Sequence, residues 1–422
     1  MTDRSTDPTT ELGTDLGTDL AAVAAGLDAE DPLAGYRDRF LPADGVVAYL
    51  DGNSLGRPLR ATAERMERFV RADWGTRLIR GWDEGWVDRP RSLGDRIGAA
   101  ALGAAPGQVV VADSTTVLLY KLARAAVDHQ AAAGRREIVV DTDNFPTDRY
   151  VLEGIAAERG AVLRWITSDP ASGVTPEQVA AAVGPDTALV LLSHVAYRSG
   201  FLADAPAITR TAHDAGALVL WDLSHSVGSV PVRLDAWGAD LAVGCGYKYL
   251  NGGPGAPAFG YLAARHTTTL RQPITGWFGH RAPFAMGPGH EPAPDVRALL
   301  SGTPPVLASV PLECGVELLE QAGIDAVRAK SVQLTAFALD LADTLLAPHG
   351  VTVASPRDPD RRGGHVTLRR EDFAQVNGRL WERGVIPDFR APDGIRIGLA
   401  PLSTSFAEVL AGMTALAEEV AR

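Results

Sequence analysis

From about Val46 the chain alternates short apolar runs with Ala-rich amphipathic stretches. Val109-Val110-Val111-Ala112, Glu137-Ile138-Val139-Val140, Ala188-Leu189-Val190-Leu191-Leu192 and Ala217-Leu218-Val219-Leu220-Trp221 read as buried strands. Helix-like stretches lie between them, from Val117 to Gln130, Asp148 to Glu158 and Ala205 to Ala215. Continuous apolar strands separated by helices predict an α/β fold, with a mostly parallel sheet covered on both faces and ligands at the C-terminal ends of its strands. After about Leu300 the order changes to a long helical segment (Pro311 to Pro348), strand-like Gly364 to Leu368, a helix from Glu371 to Arg383, strand-like Gly394 to Leu399 and a closing helix. The expected organisation is a large domain over residues 32–300, whose N-terminal segment can pack on the other domain, and a smaller C-terminal α+β domain over residues 301–422.

Residues 1–31 are Thr/Asp/Gly-rich and repeat Leu12-Gly13-Thr14-Asp15 as Leu16-Gly17-Thr18-Asp19, which reads as a disordered acidic tail. It lacks the basic and apolar regions of a secretory signal, and no later stretch of about 18 apolar residues could span a membrane. Across 422 residues, 52 acidic against 40 basic side chains give a net charge of −12, with no Lys/Arg cluster. That balance argues against nucleic acid as a partner, because phosphate binding needs a basic face. The two cysteines, Cys245 and Cys314, form no CxxC pair and no metal-ligand pattern, so no metal is expected and a reducing cytoplasm fits.

Only three lysines occur, Lys121, Lys248 and Lys330. Lys121 lies in an apolar helix-like run and Lys330 in a helix of mixed polarity, contexts usual for solvated or snorkelling side chains. Lys248 instead follows a strand into the Gly-rich segment Gly246-Tyr247-Lys248-Tyr249-Leu250-Asn251-Gly252-Gly253-Pro254-Gly255. A lysine that must form an imine with an aldehyde cofactor needs such a place, desolvated to lower its pKa and ringed by small residues. An ordinary loop lysine has the same local sequence. The balance shifts with Asp222, at the end of an apparent strand and 26 residues before Lys248. Pyridoxal phosphate acts as an electron sink only while its pyridine nitrogen is protonated, and a buried carboxylate keeps the proton there. A lone Asp at this point could equally cap a helix starting near Ser224. Two weaker signals sit at other strand ends: Asp113-Ser114-Thr115-Thr116, a helix start able to cradle phosphate, and Asn144-Phe145-Pro146-Thr147-Asp148, which offers an aromatic ring.

With these segments in order the chain resembles the kynureninase family, within the fold type I (aspartate-aminotransferase-like) pyridoxal-phosphate enzymes. The likeness runs from about Leu50 to Phe406. Its most specific parts are Leu50-Asp51-Gly52-Asn53-Ser54-Leu55-Gly56, Gly246-Tyr247-Lys248-Tyr249-Leu250-Asn251, Gly276-Trp277-Phe278-Gly279-His280, Gly302-Thr303-Pro304-Pro305 and Ile395-Arg396-Ile397-Gly398-Leu399-Ala400-Pro401-Leu402. The resemblance implies a large domain with a mostly parallel sheet of the seven-stranded type. It implies Lys248 as the lysine bonded to the cofactor, Asp222 on the pyridine nitrogen, Phe145 stacked on the ring, and Thr115, Thr116, Tyr247 and Trp277 around the phosphate. Asp148, Ser193, His225 and Thr303 would stand beside the cofactor. Arg396 would grip the substrate α-carboxylate, with Asn53, Trp82, Gly302 and Thr303 among the substrate contacts. Tyr247 would be the proton donor and acceptor next to Lys248, although spacing alone does not separate it from Tyr249.

The same resemblance implies a homodimer with shared active sites, into which Trp277 and the Gly302-Thr303 loop reach from the neighbouring subunit. It implies hydrolysis of L-kynurenine to anthranilate and L-alanine, a step of tryptophan degradation and NAD biosynthesis. Two departures, Ser403 where a Tyr is common and Ser229 where an Asn is common, leave a substituted or 3-hydroxylated kynurenine as an alternative substrate. An aminotransferase or cysteine desulfurase of the same fold is a rival reading. A non-catalytic scaffold is another, although such a descendant would be expected to lose Lys248 or Arg396.

Overall fold

The computed structural model describes residues 8–422. A short strand β1 (Ala48–Tyr49) precedes seven longer ones: β2 (Val109–Ala112), β3 (Glu137–Asp141), β4 (Val162–Ile166), β5 (Thr187–Ser193), β6 (Leu218–Asp222), β7 (Leu241–Cys245) and β8 (Ala258–Leu262). These seven form one sheet in the order β2-β8-β7-β6-β5-β3-β4. All neighbours run parallel except β8, which is antiparallel to both β2 and β7. Val139, Val190, Val219 and Ala242 point into the core on one face, and Ile138, Leu189, Leu220 and Val243 into the core on the other. Two covered faces explain why the interior positions of β3, β5, β6 and β7 carry no polar side chain. A polar side chain in mid-strand would forfeit roughly 2 kcal/mol of burial, so the chemistry is confined to the strand ends.

The smaller domain holds β9 (Thr352–Val353), β10 (His365–Arg369), β11 (Val385–Ile386), β12 (Asp388–Arg390) and β13 (Gly394–Gly398). An antiparallel sheet runs β12-β13-β10-β9, while β11 pairs with β1 in parallel. Leu368, Ile395, Ile397, Phe337 and Phe406 form its core, which also takes in Ala48 and Leu50 from the N-terminal segment. Among the described residues no helix is long and apolar enough to cross a membrane.

Two expectations about organisation differ from the structure. The tail expected to be disordered carries a helix from Pro8 to Glu30, while residues 1–7 lie outside the described part. Leu20, Ala24 and Leu27 recur at helical spacing and pack into the smaller domain's core. Asp28 accepts hydrogen bonds from the Phe406 and Ala407 N–H groups, at 3.1 and 3.0 Å, at the start of the closing helix. The acidic composition of this stretch thus includes a helix cap. The second difference concerns the domain division. Helix Val306–Ala322 buries Leu312, Val316 and Leu319 in the larger domain's core, and Gly323, at φ 76°, ends it. The chain crosses within the next helix, Ile324–Leu341, where Val327 belongs to the first core and Leu334 to the second.

Lys121 and Lys330 are also not where composition puts them, because both are buried. Lys330 Nζ lies 2.7 Å from Asp31 Oδ2, with side chains 2% and 1% exposed, an ion pair joining the end of the N-terminal segment to helix Ile324–Leu341. Removing one partner leaves the other charge without compensation. Asp31→Asn is therefore expected to lower unfolding stability by about 3 kcal/mol in urea titration of the holoprotein. Asp19→Asn, at an exposed position of the N-terminal helix, is expected to stay within about 0.5 kcal/mol of the parent.

Candidate active site

The C-terminal ends of β5, β6 and β7 bring the first group of residues together. Ser193 and Asp222 are register partners across β5 and β6, and Asp222 faces Val243 on β7. Three residues past β7, Lys248 is buried, with Nζ 3.2 Å from His225 Nε2 and 5.9 and 5.8 Å from the ring centres of Phe145 and Tyr247. Burial lowers the Lys248 pKa and holds that of His225 well below its ordinary value, the neighbouring Lys248 and Arg396 charges adding to the effect on His225.

The loop carrying Lys248 is gripped by the Leu50–Gly56 segment. Gly56 N–H donates to the Tyr247 carbonyl at 2.9 Å, and Asn251 Nδ2 donates to the Arg57 carbonyl at 3.1 Å. A Cβ on Gly56 would lie 2.4 Å from the Lys248 carbonyl oxygen, so a side chain there would push the loop away.

Opposite the lysine stand two carboxyls. Asp222 is buried and accepts at Oδ1 from Ser224 N–H (2.8 Å) and Ser224 Oγ (2.6 Å), so it orders the following turn as well as facing the site. Asp148, in the first turn of helix Pro146–Arg159, is wholly buried with Oδ2 unpartnered. Burial, with the Asp222 and Asp141 charges behind it, raises the Asp148 pKa well above the carboxylate range. Burial thus disfavours the charged form of Asp148 beside Asp222. Phe145 packs edge-on against Tyr197 at 5.4 Å, and Ser193 Oγ donates to Asn144 Oδ1 at 3.0 Å. Thr115 and Thr116 open helix Thr115–Ala131 behind its cap Ser114, where the first N–H groups have no partner inside the helix.

Arg396 enters from β13 and is 1% exposed. Its Nε donates to Asp388 Oδ2 (2.6 Å), Nη1 to the Tyr197 carbonyl (2.7 Å) and Nη2 to Ser54 Oγ (2.7 Å). The guanidinium is therefore tied to both domains and to the N-terminal segment. Asn53 is buried beside it with neither amide atom partnered, and a Cβ on Gly398 would lie 1.8 Å from Asn53 Oδ1.

Sequence reasoning missed Ser54, Tyr197, Asp388 and His365. His365, on β10, is fully buried 5.8 Å from the His225 ring with both nitrogens unpartnered, and burial pushes its pKa down to about 3. The preceding Gly363-Gly364 was its one visible signal. Gly364 has no room for a Cβ, which would lie 2.5 Å from the Tyr249 hydroxyl.

Trp82, Trp277, Gly302 and Thr303 are not brought to this group within one chain. Trp82 packs on Trp86 (5.4 Å) and Phe278 (5.6 Å), and Trp277 on Phe278 (4.4 Å). Thr303 lines a cavity of about 220 Å3 with Phe69, Trp74, Trp82 and Trp86. Among the described residues no hydrogen bond or ring contact joins this aromatic group to Lys248, Asp222 or Arg396.

Asp148 Oδ2, both ends of Asn53 and both nitrogens of His365 are buried polar atoms without partners, a condition uncommon in folded proteins. Together with a buried amine, a buried carboxyl pair and an open helix start, they fit pyridoxal phosphate, which brings an aldehyde, a basic ring nitrogen and a phosphate.

Comparison with known proteins agrees. The kynureninase C-terminal domain family matches residues 327–416. The chain is 44% identical over 391 residues to the kynureninase of Burkholderia pseudomallei (strain K96243), covering 92% of each chain. It is 42% identical over 398 residues to that of Pseudomonas fluorescens, covering 93% of each. Its fold matches an apo cysteine desulfurase from Thermococcus onnurineus NA1 with a TM-score of 0.78 at 18% identity, over 91% of this chain and 98% of the other. The architecture is thus that of the fold type I pyridoxal-phosphate enzymes, and by sequence the chain belongs to the kynureninase family.

Proposed function

We propose that this protein is a pyridoxal-phosphate-dependent hydrolase that cleaves L-kynurenine to anthranilate and L-alanine. The observation that carries this reading is the buried amine of Lys248, held below its ordinary pKa beside His225 and facing the Asp222–Asp148 pair, in a chain with kynureninase relatives over nine-tenths of its length. Pyridoxal phosphate, when bound, supplies a protonated ring that spreads the negative charge developing on the substrate's carbon chain. Lys248, Asp222, Asp148, His225, Phe145, Ser193, Thr115 and Thr116 would hold it.

Each residue's task follows from its surroundings. Burial lowers the Lys248 pKa, which favours the neutral amine that would take the proton from the substrate Cα. Asp222, ordered by Ser224 and backed by Asp148, whose pKa burial raises, would offer its carboxylate to the ring nitrogen at the far end of the site. Arg396, already oriented by Asp388, Tyr197 and Ser54, offers a planar fork to the α-carboxylate. Burial raises the Tyr247 pKa, so its phenol keeps its proton at neutral pH and can deliver it to the carbon left when the bond between Cβ and the carbonyl carbon breaks. Water adds to that carbonyl carbon, so one kynurenine and one water give one anthranilate and one alanine.

A homodimer is part of the proposal, because Trp82, Trp277, Gly302 and Thr303 sit apart from Lys248 within one chain. The aromatic group is flanked by exposed apolar side chains, among them Trp74 (50% exposed), Ile79 (76%), Phe284 (51%) and Met286 (73%), which a second subunit would cover. A cytoplasmic enzyme of tryptophan degradation, contributing to NAD biosynthesis, completes the reading. The two cysteines, both buried and unpaired, are compatible with it.

Lys248→Ala is expected to abolish anthranilate release and the absorbance band near 420 nm while leaving the circular dichroism spectrum unchanged, and wild-type turnover in this variant would refute the assignment. Thr303 bears on substrate choice. It borders a cavity lined by aromatic and aliphatic side chains, where a ring hydroxyl would find few hydrogen-bond partners. L-kynurenine is expected to exceed 3-hydroxy-L-kynurenine at least about tenfold in kcat/KM, or roughly 1.4 kcal/mol, and Thr303→Asn is expected to narrow the gap. A native preference for the hydroxylated substrate would remove Thr303 from the aryl pocket.

A further inference from the structure

Lys121 is one of three lysines in a chain that otherwise relies on arginine, and its side chain is completely buried. Its Nζ donates to Asp113 Oδ2 at 2.7 Å and to the Leu299 carbonyl at 2.8 Å. Burying an ammonium costs several kcal/mol even when paired, so a site that retains one puts the charge to use. A lysine presents its charge at a point and can meet two acceptors in a space too narrow for a guanidinium fork.

The two acceptors belong to different parts of the proposed active sites. Asp113 is the last residue before the cap of helix Thr115–Ala131, and it stands at φ 46°, a conformation costly for a residue with a side chain. Its carbonyl accepts from Ala258 N–H at 3.1 Å, so the turn is held from both sides just ahead of Thr115 and Thr116, the first residues of the helix. Leu299 closes the short 3-10 turn Val296–Leu299, directly before Leu300-Ser301-Gly302-Thr303. Ser301 is in turn fastened to the Trp277 segment. Its carbonyl accepts from Phe278 N–H at 3.2 Å, its hydroxyl donates to the Ile274 carbonyl at 2.5 Å, and a Cβ on Gly276 would lie 2.3 Å from its carbonyl oxygen.

We propose that Lys121 is a positioning residue that locks the phosphate-binding turn Asp113–Thr116 to the Leu299–Thr303 segment, so that one buried ammonium sets both the cofactor cradle of its own site and the aryl pocket of the neighbouring one. The cross-site half rests on the homodimer proposed above, in which Gly302 and Thr303 serve the partner's site. Removing the Leu299 contact alone would loosen the aryl pocket. Removing the Asp113 contact alone would release the strained turn and weaken the grip on phosphate.

Binding and kinetics separate the two ends. Apoprotein carrying Lys121→Met is expected to bind pyridoxal phosphate about tenfold more weakly, with little change for pyridoxal, which has no phosphate. In the loaded enzyme the same variant is expected to raise KM for L-kynurenine about tenfold while kcat stays within about threefold. Asp113→Asn is expected to reproduce the cofactor loss with a smaller change in KM. Because Asp113 is 29% exposed, this variant also stands in should Lys121→Met not fold, and wild-type affinity for pyridoxal phosphate in Asp113→Asn overturns the proposal.

Mixed dimers of Lys121→Met and Lys248→Ala subunits decide the cross-site half. Their one working site combines the Lys121→Met subunit's cradle with an aryl segment from a subunit that keeps Lys121. KM is expected to return to the wild-type value while the affinity for pyridoxal phosphate stays weak. A KM as high as in the Lys121→Met homodimer overturns it. Sedimentation of the holoprotein distinguishes this failure from that of the underlying reading, since a monomer removes the dimer and the cross-site coupling whatever the Lys121 variants do.

Discussion

Burial holds the Lys248 amine below its ordinary pKa, and the backbone packed around it is shaped to keep water out. That closeness requires residues without side chains. Gly56 abuts the Lys248 carbonyl, Gly246 has the Pro257 carbonyl 2.5 Å from where a Cβ would stand, and Gly315 would bring a Cβ to 1.8 Å from the Leu250 carbonyl. Two chain segments far apart in sequence, around Gly56 and Gly315, thus converge on one short loop. The cost falls on flexibility in the unfolded chain, and it is offset by the apolar sheet on which β7 sits.

The second constraint is the seam between the domains. Arg396 belongs to the smaller domain, yet two of its three nitrogen positions are held by the Tyr197 carbonyl and Ser54 Oγ from outside it. The loop after β5 continues this fastening: Gly363 N–H donates to the Gly200 carbonyl at 2.7 Å and Ser355 Oγ to the Ser199 carbonyl at 2.5 Å. In the role proposed for Arg396, a substrate carboxylate would meet a group already fixed relative to Lys248, leaving little ordering to be done on binding. Asp51, its pKa pushed up to about 6 by partial burial, places a second half-buried carboxyl in the same seam near Asp388 and Arg396.

Much of this was legible in the sequence, for identifiable reasons. β2, β3, β5 and β6 are buried on both faces, so their apolar runs announce them, and β10 and β13 begin within one residue of the expected positions. β4 was not visible because it is the edge strand of its sheet, with Val162, Arg164 and Trp165 exposed, so its pattern reads as mixed. β8 follows the Gly-rich loop and runs antiparallel, with no helix before it to signal a strand. Lys248 and Asp222 could be picked out because their chemistry demands strand ends. His365, Asp388 and Tyr197 could not, since their roles arise from contacts across the seam that spacing does not encode. Composition misled most at the N-terminus and at Lys121 and Lys330, lysines that are buried with a carboxylate partner, Asp113 in the preceding turn for the first and the distant Asp31 for the second.

The central claim is that this site breaks the bond between Cβ and the carbonyl carbon by adding water. Products formed from L-kynurenine by the purified holoprotein test it most directly. The account predicts anthranilate and alanine in equal amounts, with neither formed when pyridoxal phosphate is removed. A keto acid in which ring and side chain remain joined, with no anthranilate, would mean that the site transfers the amino group instead and would contradict it.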